Sequence, residues 1–425
     1  MGTKLTNKSN QTQRFYAFVV IPFLSLKSKF MIPTLSTIRS SLTDKNLLAV
    51  TDKVLSGHRI SNEDGNYLYA HGEIGFLGAL ANFIREQKHG NKTYFNKNFH
   101  VEPTNLCVYS CTFCSYSRLI KQRHEGWEYT HDQIMDIVKS YDGKDVTEVH
   151  IVGGVLPQYD LDFYVRLFKA IKSHRPNLHL KALTPVEYHY IFKKAKVSYS
   201  DGMKIILESG VDSMPGGGAE IFDEQIREQI AGGKCSSDQW LEIHRIWHDL
   251  GKKSNATMLY GHVEQYQHRI DHLDRLRKLQ DETGGFQTFI PLKFRNKDNQ
   301  MSHLAEVSII EDFRNYAVSR IYLDNFDHIK SYWPMLGRHN AQLSLAFGVD
   351  DIDGTIDDTT KIYSMAGSEE QNPAMSLNQL IKLIRDVNRI PIERDSIYNE
   401  IKVYDEQNYT ILPEINTYKA LPVVS

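Results

Sequence analysis

Three cysteines close together in the chain are the residues most able to do chemistry. Cys107, Cys111 and Cys114 follow a C-x3-C-x2-C pattern within eight residues. A short alternating run at 99–102 predicts a strand, and residues 103–105 (Pro-Thr-Asn) end it and begin a loop. The three thiols are therefore predicted to lie on a loop just beyond the carboxyl end of a strand. Thiolates arranged in this way can hold a soft metal centre.

Two kinds of metal centre are compatible with this ligand set. Three cysteines can hold a [4Fe–4S] cluster and leave one iron free for a further ligand. Tetrahedral zinc instead requires a fourth protein ligand. His100 or His124 could supply that ligand, whereas the fourth cysteine, Cys235, lies far downstream and is interpreted as a free thiol. The alternative to a cluster is therefore a structural zinc site in a protein that is not an enzyme.

Alternating strand and helix patterns surround the cysteine loop. Amphipathic helical stretches separate successive strands, as in parallel α/β folds. The predicted strands cover residues 99–102, 148–152, 178–183, 211–214, 255–260, 286–292, 329–333 and 351–355. Eight such repeats predict a (β/α)8, TIM-like barrel over residues 98–358.

The unusual sequences of this region follow the predicted strands. They are the cysteine loop, Gly153-Gly154, Thr184-Pro185, the glycine-rich 216–220 and Gly261-His262. A (β/α)8 barrel carries its chemistry on the loops after the carboxyl ends of its strands. We therefore expect these five segments to meet at one rim of the barrel.

The remaining segments are predicted to accompany the barrel. Residues 1–30 are interpreted as a disordered extension, because the apolar run 15–26 is shorter than the ~20 residues that span a bilayer and no signal-peptide cleavage site follows it. Residues 31–97 read as a helical preface. Residues 359–425 read as a helix at 376–389 that closes the barrel, followed by a tail without periodicity.

Composition limits the class of protein and its partners. The chain has 425 residues, of which 41% are apolar and 24% charged, with a net charge of −2. This balance provides no electrostatic attraction for nucleic acid or for an anionic membrane surface. Four cysteines, three of them clustered, argue against a disulfide scaffold and for a reducing compartment. We therefore expect a cytoplasmic protein that binds neither nucleic acid nor a membrane surface.

The cysteine pattern, with the aromatic Phe113 just before the last cysteine, resembles the signature of the radical S-adenosylmethionine (SAM) enzymes. In that family the open iron of a [4Fe–4S] cluster chelates the amino and carboxylate groups of SAM. An electron from the cluster then cleaves SAM into methionine and a 5′-deoxyadenosyl radical. The resemblance implies that Cys107, Cys111 and Cys114 are the cluster ligands, and that the cluster and SAM are the cofactors.

Four residues are candidates for contact with SAM. Gly153 and Gly154 lie where this family commonly has Gly-Gly-Glu, although Val155 replaces the Glu here, and their backbone would approach the methionine amino group; the alternative is a tight turn. Phe113 would pack on the adenine or shield the cluster. Glu220 would end a loop over the adenosine, or else lie in solvent on a flexible turn.

Longer blocks at 213–228, 240–264, 272–294 and 332–355 resemble the aminofutalosine synthases of menaquinone biosynthesis. The resemblance implies addition of the 5′-deoxyadenosyl radical to 3-[(1-carboxyvinyl)oxy]benzoate. The products would be 6-amino-6-deoxyfutalosine, methionine and bicarbonate, with an electron supplied by a donor such as flavodoxin or ferredoxin. The related cyclic dehypoxanthine futalosine synthases share the cysteine pattern and are the alternative within the enzymes.

A substrate with two carboxylates requires cationic or hydrogen-bonding partners at the rim of the barrel. Lys181, in the third predicted strand, and His262 and Arg295, after the fifth and sixth, are the candidates. No pair of residues stands out as a general acid and base, so no catalytic side chain is assigned.

Overall fold

A computed structural model describes residues 32–355, 361–369, 371 and 373–411 of the chain. The predicted extension at 1–30 lies outside the described residues. None of the helices in the described part of the chain is long and apolar enough to cross a membrane.

Sixteen α-helices and one short 3₁₀ helix, Ile120–Glu125, occupy the described residues. In chain order the α-helices are α1 Ile32–Ser41, α2 Lys45–Leu55, α3 Asn62–His71, α4 Ile74–His89, α5 His131–Lys139, α6 Leu161–His174, α7 Pro185–Ala195, α8 Tyr199–Glu208, α9 Glu224–Ala231, α10 Ser237–Asp249, α11 Tyr266–Thr283, α12 Ile309–Tyr322, α13 Trp333–Leu336, α14 Arg338–Ser344, α15 Ile362–Met365 and α16 Leu377–Arg385.

Thirteen strands lie between these helices in the same residues. They are β1 Lys92–Phe95, β2 Asn98–Val101, β3 Leu106–Cys107, β4 Arg118–Leu119, β5 Glu148–Ile151, β6 His179–Ala182, β7 Ser213–Met214, β8 Lys253–Tyr260, β9 Phe286–Lys293, β10 His328–Ser331, β11 Asp351–Ile352, β12 Ile390–Arg394 and β13 Glu400–Val403.

Local sequence signals explain where several of the barrel helices begin. Four of these helices begin with the same capping arrangement. The side chain of the cap residue accepts the N–H of the third helical residue, and the side chain of that third residue accepts the N–H of the cap residue. The cap residues are Thr130, Thr184, Ser236 and Ser376. This reciprocal arrangement satisfies two N–H groups that have no partner within the helix.

The main sheet curls into a barrel of parallel strands. Its order runs from β2 through β5, β6, β7, β8, β9, β10 and β11 to β1. Only two residues separate β1 from β2, and β1 pairs with β11 while β2 pairs with β5. Beyond β11, the Thr355 hydroxyl donates to the Asn98 carbonyl at 2.9 Å, which links the two ends of the sheet further. The predicted TIM-like barrel is therefore confirmed.

Alternate residues of the barrel strands face opposite sides. On β5, Val149 and Ile151 belong to the apolar core under the helices, whereas Glu148 and His150 line a central cavity. Branched apolar side chains fill the interior of most (β/α)8 barrels. Here the inward side chains are mainly polar: Asn98, His100, Glu148, His150, Lys181, Asn255, Thr257, Lys330 and Asp353. A polar chamber therefore replaces part of the usual apolar filling.

Both ends of the described chain pack on the barrel. The predicted helical preface is present as α1–α4, with α3 and α4 against α11 and α12. β1 belongs to the sheet, although the sequence assigned residues 92–95 to the preface. The segment after residue 389, where the sequence predicted only a tail, forms β12 and β13, which extend the sheet from β1. The buried Tyr404 hydroxyl donates to Glu393 at 2.5 Å and holds this hairpin.

Candidate active site

One cavity of about 290 Å³ lies at the carboxyl end of the barrel strands. Cys107, Cys111 and Cys114 line it together with Gly153 and Lys181. The cavity also receives Phe113, Gly154, Gly216 and Gly217. Four of the five segments that the sequence placed at one rim therefore surround a common space, with the cysteines on its wall and the polar chamber beneath, whereas Gly261 and His262 do not line it.

Main-chain N–H groups point at the cysteine sulfurs. The N–H groups of Tyr109 and Val155 each lie 3.4 Å from Sγ of Cys107, and the Ser117 N–H lies 3.4 Å from Sγ of Cys114. Such donors stabilise a sulfur that carries negative charge. At Cys107 these donors partly offset burial, which raises the pKa of the thiol.

Gly153 and Gly154 pack directly against the cysteine loop. A Cβ at Gly154 would lie 2.2 Å from the carbonyl oxygen of Leu106, and one at Gly153 would lie 2.7 Å from that of Thr104. The Gly154 N–H also donates to the Thr104 carbonyl at 2.7 Å. The two glycines thus have a structural role in setting the cysteine loop, and their contact with SAM stays a prediction.

The glycine-rich loop after β7 is held equally tightly. A Cβ at Gly216 would lie 2.5 Å from the Asn255 carbonyl oxygen, and one at Gly218, whose φ is +83°, would lie 2.4 Å from a methyl group of Val186. A left-handed φ and close neighbours both exclude a side chain at Gly218. This loop is therefore a fitted part of the cavity wall, in contrast to the flexible turn that was the alternative from sequence.

A buried ion pair follows this loop. The Lys234 ammonium lies 2.8 Å from Oε1 of Glu220 and 5.4 Å from the centre of the Phe113 ring. Burial acts to lower the pKa of Lys234, but the nearby Cys111 and Glu220 raise it well above its ordinary value. Glu220 itself has a left-handed φ of +47°, which is uncommon for a residue with a side chain. Lys234 lines the cavity, whereas Glu220 does not.

Two further ion pairs lie on the floor of the chamber. The Lys181 ammonium is 2.7 Å from Oε2 of Glu148, and the Lys330 ammonium is 3.3 Å from Oδ1 of Asp353. Although burial would raise the pKa of Glu148, the Lys181 charge holds it well below its usual range. Lys181, a candidate ligand for a substrate carboxylate, therefore faces the cavity, but its ammonium is already paired with Glu148.

Two histidines complete the floor beside Lys181. Parallel pairing places His100 opposite His150, and His150 opposite Lys181, on three neighbouring strands. The His100 and His150 rings meet edge to face with their centres 4.7 Å apart. Burial is the main cause that lowers the pKa of His150 well below its usual value, followed by His100 and Lys181.

Glu187 connects two of the rim loops. Its carboxylate accepts the N–H of Gly153 at 3.2 Å and the N–H of Thr184 at 2.7 Å. Burial raises the pKa of this carboxyl to about 7, although the two N–H donors oppose the shift. Glu187 therefore titrates close to neutral pH at the edge of the cavity.

The structure does not bring His262 or Arg295 to the cavity wall. The fully buried His262 ring lies 3.3 Å from Glu264 and 3.1 Å from the Leu259 carbonyl, inside the loop after β8. The Arg295 guanidinium donates to the Gly367 carbonyl at 2.8 Å and lies 3.3 Å from Glu306. Both side chains are thus occupied in holding loops together, and neither is carried forward as a substrate ligand.

The zinc alternative has no geometric support. Three thiolates around one zinc, with Zn–S near 2.3 Å, must lie within about 4 Å of one another. Within the described residues, only one group of three His, Cys, Asp or Glu side chains has ligand atoms that all lie within 4.8 Å of one another. This group is His89, His328 and Asp350, so it does not include the cysteines. His124, one of the two proposed fourth ligands, is exposed and lies beside Glu125.

Comparison with known proteins gives the family. Residues 101–276 match the radical SAM superfamily, and residues 283–406 match the CofH/MqnC C-terminal region. The chain is 44% identical to the aminodeoxyfutalosine synthase of Thermus thermophilus, over 86% of this chain and 98% of that protein. It belongs to the radical SAM superfamily. As a radical SAM enzyme, it uses a [4Fe–4S] cluster and SAM.

Other relatives agree with this assignment. The chain is 37% identical to the aminodeoxyfutalosine synthase of Streptomyces coelicolor, over 83% of this chain and 93% of that protein. It is 33% identical to the cyclic dehypoxanthine futalosine synthase of the same organism, over 86% of this chain and 92% of that protein. The [FeFe]-hydrogenase maturase HydG of Carboxydothermus hydrogenoformans has the same fold, with a TM-score of 0.67 at 15% identity, over 87% of this chain and 84% of that one.

The donor set of the site fits the cofactors of this superfamily. Three thiols share one wall of the cavity, and burial raises the pKa of the Cys111 thiol to about 12. A buried thiolate needs nearby positive charge, which iron supplies on binding. The residues present would therefore hold the cluster through Cys107, Cys111 and Cys114.

Sequence reasoning missed several residues of the cavity. They are Glu148, His150, Glu187, Lys234, Lys330 and Asp353. One signal was available, because Glu148 and His150 alternate with Val149 and Ile151 inside a predicted strand, which indicates a polar inward face. Local sequence marked Glu187 only as the third helical residue of the capping box at Thr184, which is a structural signal, and it did not mark Lys234.

Proposed function

We propose that this enzyme converts 3-[(1-carboxyvinyl)oxy]benzoate and SAM to 6-amino-6-deoxyfutalosine, methionine and bicarbonate. The observation that carries this proposal is that one cavity contains both the three cysteines and a polar floor. The chain is also 44% identical to an aminodeoxyfutalosine synthase. When bound, the cluster supplies the electron that cleaves SAM to methionine and a 5′-deoxyadenosyl radical. The residues of the chain have to position two reactants and exclude water.

Lys234 is the residue that we assign to the carboxylate of SAM. Its ammonium is buried beside the cysteine wall and lines the cavity. Glu220, at 2.8 Å, orients the ammonium and keeps it charged. An ammonium fixed in this way is a suitable partner for a carboxylate. Phe113, on the same wall, provides an apolar surface for the adenine.

The substrate then occupies the space between the cysteine wall and the polar floor. Ile290 and Leu292 provide an apolar side for its aryl ring, and Lys181 and Lys330 lie below. Radical addition requires the alkene carbon to be held about 3–3.5 Å from the attacking carbon. The close packing around Gly154 and Gly216 favours such a fixed position, because at each glycine the main chain lies nearer to its neighbour than a side chain would allow.

We further propose that a reduced flavodoxin or ferredoxin donates the electron from the outer side of the cysteine loop. Cys111 and Cys114 also line a second, more polar pocket of about 400 Å³, together with Arg118 and Asn299. An electron carrier at that pocket could reach the cysteines without entering the substrate cavity. An oxygen-sensitive cluster and such a donor both favour a cytoplasmic location, which we propose for this enzyme.

A substrate competition tests the proposed reaction. The reconstituted enzyme is incubated without oxygen, with SAM and reductant, and with either 3-[(1-carboxyvinyl)oxy]benzoate or dehypoxanthine futalosine. We expect only the first compound to be consumed, with one methionine and one 6-amino-6-deoxyfutalosine formed per substrate by mass spectrometry. Consumption of dehypoxanthine futalosine instead would assign the enzyme to the cyclase reaction named by its 33%-identical relative. Cys111→Ser is the matched inactive control.

A further inference from the structure

The charges on the floor of the chamber cancel one another. Lys181 is paired with Glu148 at 2.7 Å, and Lys330 with Asp353 at 3.3 Å. A substrate carboxylate that approaches this floor therefore meets lysines that are already neutralised. Displacing Glu148 or Asp353 would leave a buried carboxylate without its counter-ion, which is strongly unfavourable. The charge needed to bind an anion has to come from elsewhere.

His150 is the group that can supply this charge. It lies between His100 and Lys181 in the same layer of the barrel and lines the cavity. Its Nε2 is buried and, among the described residues, has no hydrogen-bond partner. A buried ring nitrogen without a partner costs free energy unless a ligand completes it. This atom is therefore prepared for a group that the chain itself does not provide.

Ionisable side chains face His150 from its own strand and from the strands around it. His100 faces it from β2, Lys181 from β6, and Glu148 from its own strand, while Asp353 approaches from beyond β11. Together with burial, these groups lower the pKa of His150 well below its ordinary value, so the ring is neutral at pH 7. Because an adjacent carboxylate favours the charged form of histidine, an incoming anion would reverse this shift.

We propose that His150 binds the inner carboxylate of a dicarboxylate substrate as an imidazolium, so that the enzyme takes up about one proton from solvent when this substrate binds. The proton goes to the His150 ring, and no other bond changes. This inference deepens the proposed function and rests on it, since the two-carboxylate substrate comes from there. It also makes His150 a specificity-determining residue, because an uncharged substrate would gain nothing from the proton.

Isothermal titration calorimetry measures this uptake directly. The anaerobic holoenzyme, with SAM and without reductant, is titrated with 3-[(1-carboxyvinyl)oxy]benzoate at pH 7.5 in phosphate, HEPES and Tris. The slope of binding enthalpy against buffer ionisation enthalpy gives the number of protons, and we expect about one. A slope of zero with normal binding would overturn the inference and leave the proposed reaction intact. A failure of this substrate to bind would overturn both.

His150→Gln identifies the group that takes the proton. We expect the proton count to fall to near zero and Kd to rise by about tenfold to hundredfold, the range for one lost hydrogen bond to a charged group. His179→Gln is the matched control, since His179 is on the next strand, bonds Ser213 at 2.7 Å and does not line the cavity. It should keep the wild-type proton count. Uptake that survives in His150→Gln, in protein with wild-type iron content, would overturn the assignment.

Discussion

Gly154→Ala tests how the cysteine loop is positioned. The added methyl group would lie 2.2 Å from the Leu106 carbonyl oxygen, 0.8 Å short of the 3.0 Å limit that real Cβ atoms keep. The obstructing atom is main chain, and it belongs to the residue just before Cys107, so the first cysteine ligand must move with it. Rotation of a side chain therefore cannot remove the clash. We therefore expect the substitution to disturb cluster binding as well as stability.

The size of the effect follows from the packing. Forcing a methyl group into a filled site costs about 1–3 kcal/mol, and a main-chain neighbour favours the upper end of that range. With roughly 0.9 kcal/mol per kelvin of unfolding entropy for a chain of this length, 3 kcal/mol lowers Tm by about 3 °C. The larger consequence is chemical, because a displaced Cys107 weakens one of the three sulfur–iron bonds.

Iron and sulfide content after anaerobic reconstitution, with Tm of the same samples, is the assay. Gly154→Ala should bind much less iron than the wild-type protein. Gly75→Ala is the matched control, since a Cβ at Gly75, inside α4, meets nothing within 4 Å. That control should load normally and gain about 0.5–1 kcal/mol in stability. A Gly154→Ala protein with full iron content and an unchanged cluster EPR spectrum would refute the reasoning.

Three further predictions concern other parts of the site. Cys111→Ser should abolish cluster loading, whereas Cys235→Ser, at a buried thiol that does not line the cavity, should leave iron content unchanged; equal loading of the two would contradict the ligand assignment. Lys181→Met leaves Glu148 buried without its partner and should cost about 3–5 kcal/mol in denaturant unfolding, while the double variant with Glu148→Gln should recover part of that loss. Because burial raises the pKa of Glu187 from 4.5 to about 7, its ionisation opposes folding, so stability should fall by about 3 kcal/mol as pH rises through that interval. Glu187→Gln should flatten this part of the stability curve; an unchanged slope would show that another group is responsible.

Local sequence was sufficient for most of the fold. The strand and helix patterns from residue 98 to 355 predicted the eight repeats, because amphipathic periodicity and helix caps are signals carried by a few neighbouring residues. The short strands β1, β12 and β13 were missed, since their assignment depends on distant partners. β1, for example, pairs with β12 nearly three hundred residues later.

For the site, the sequence alone determined the cysteine ligands and the rim on which they lie. Three thiols at that spacing, on a loop after a strand, limited the chemistry to a metal centre, and the resemblance to the radical SAM enzymes favoured a [4Fe–4S] cluster over zinc. The tertiary structure alone decided the partners: Lys181 is neutralised by Glu148, while His262 and Arg295 point into loop contacts. The reason is strand register, because a shift of one residue exchanges the inner and outer faces of a strand. Which side chains share the chamber is therefore settled only when the barrel closes.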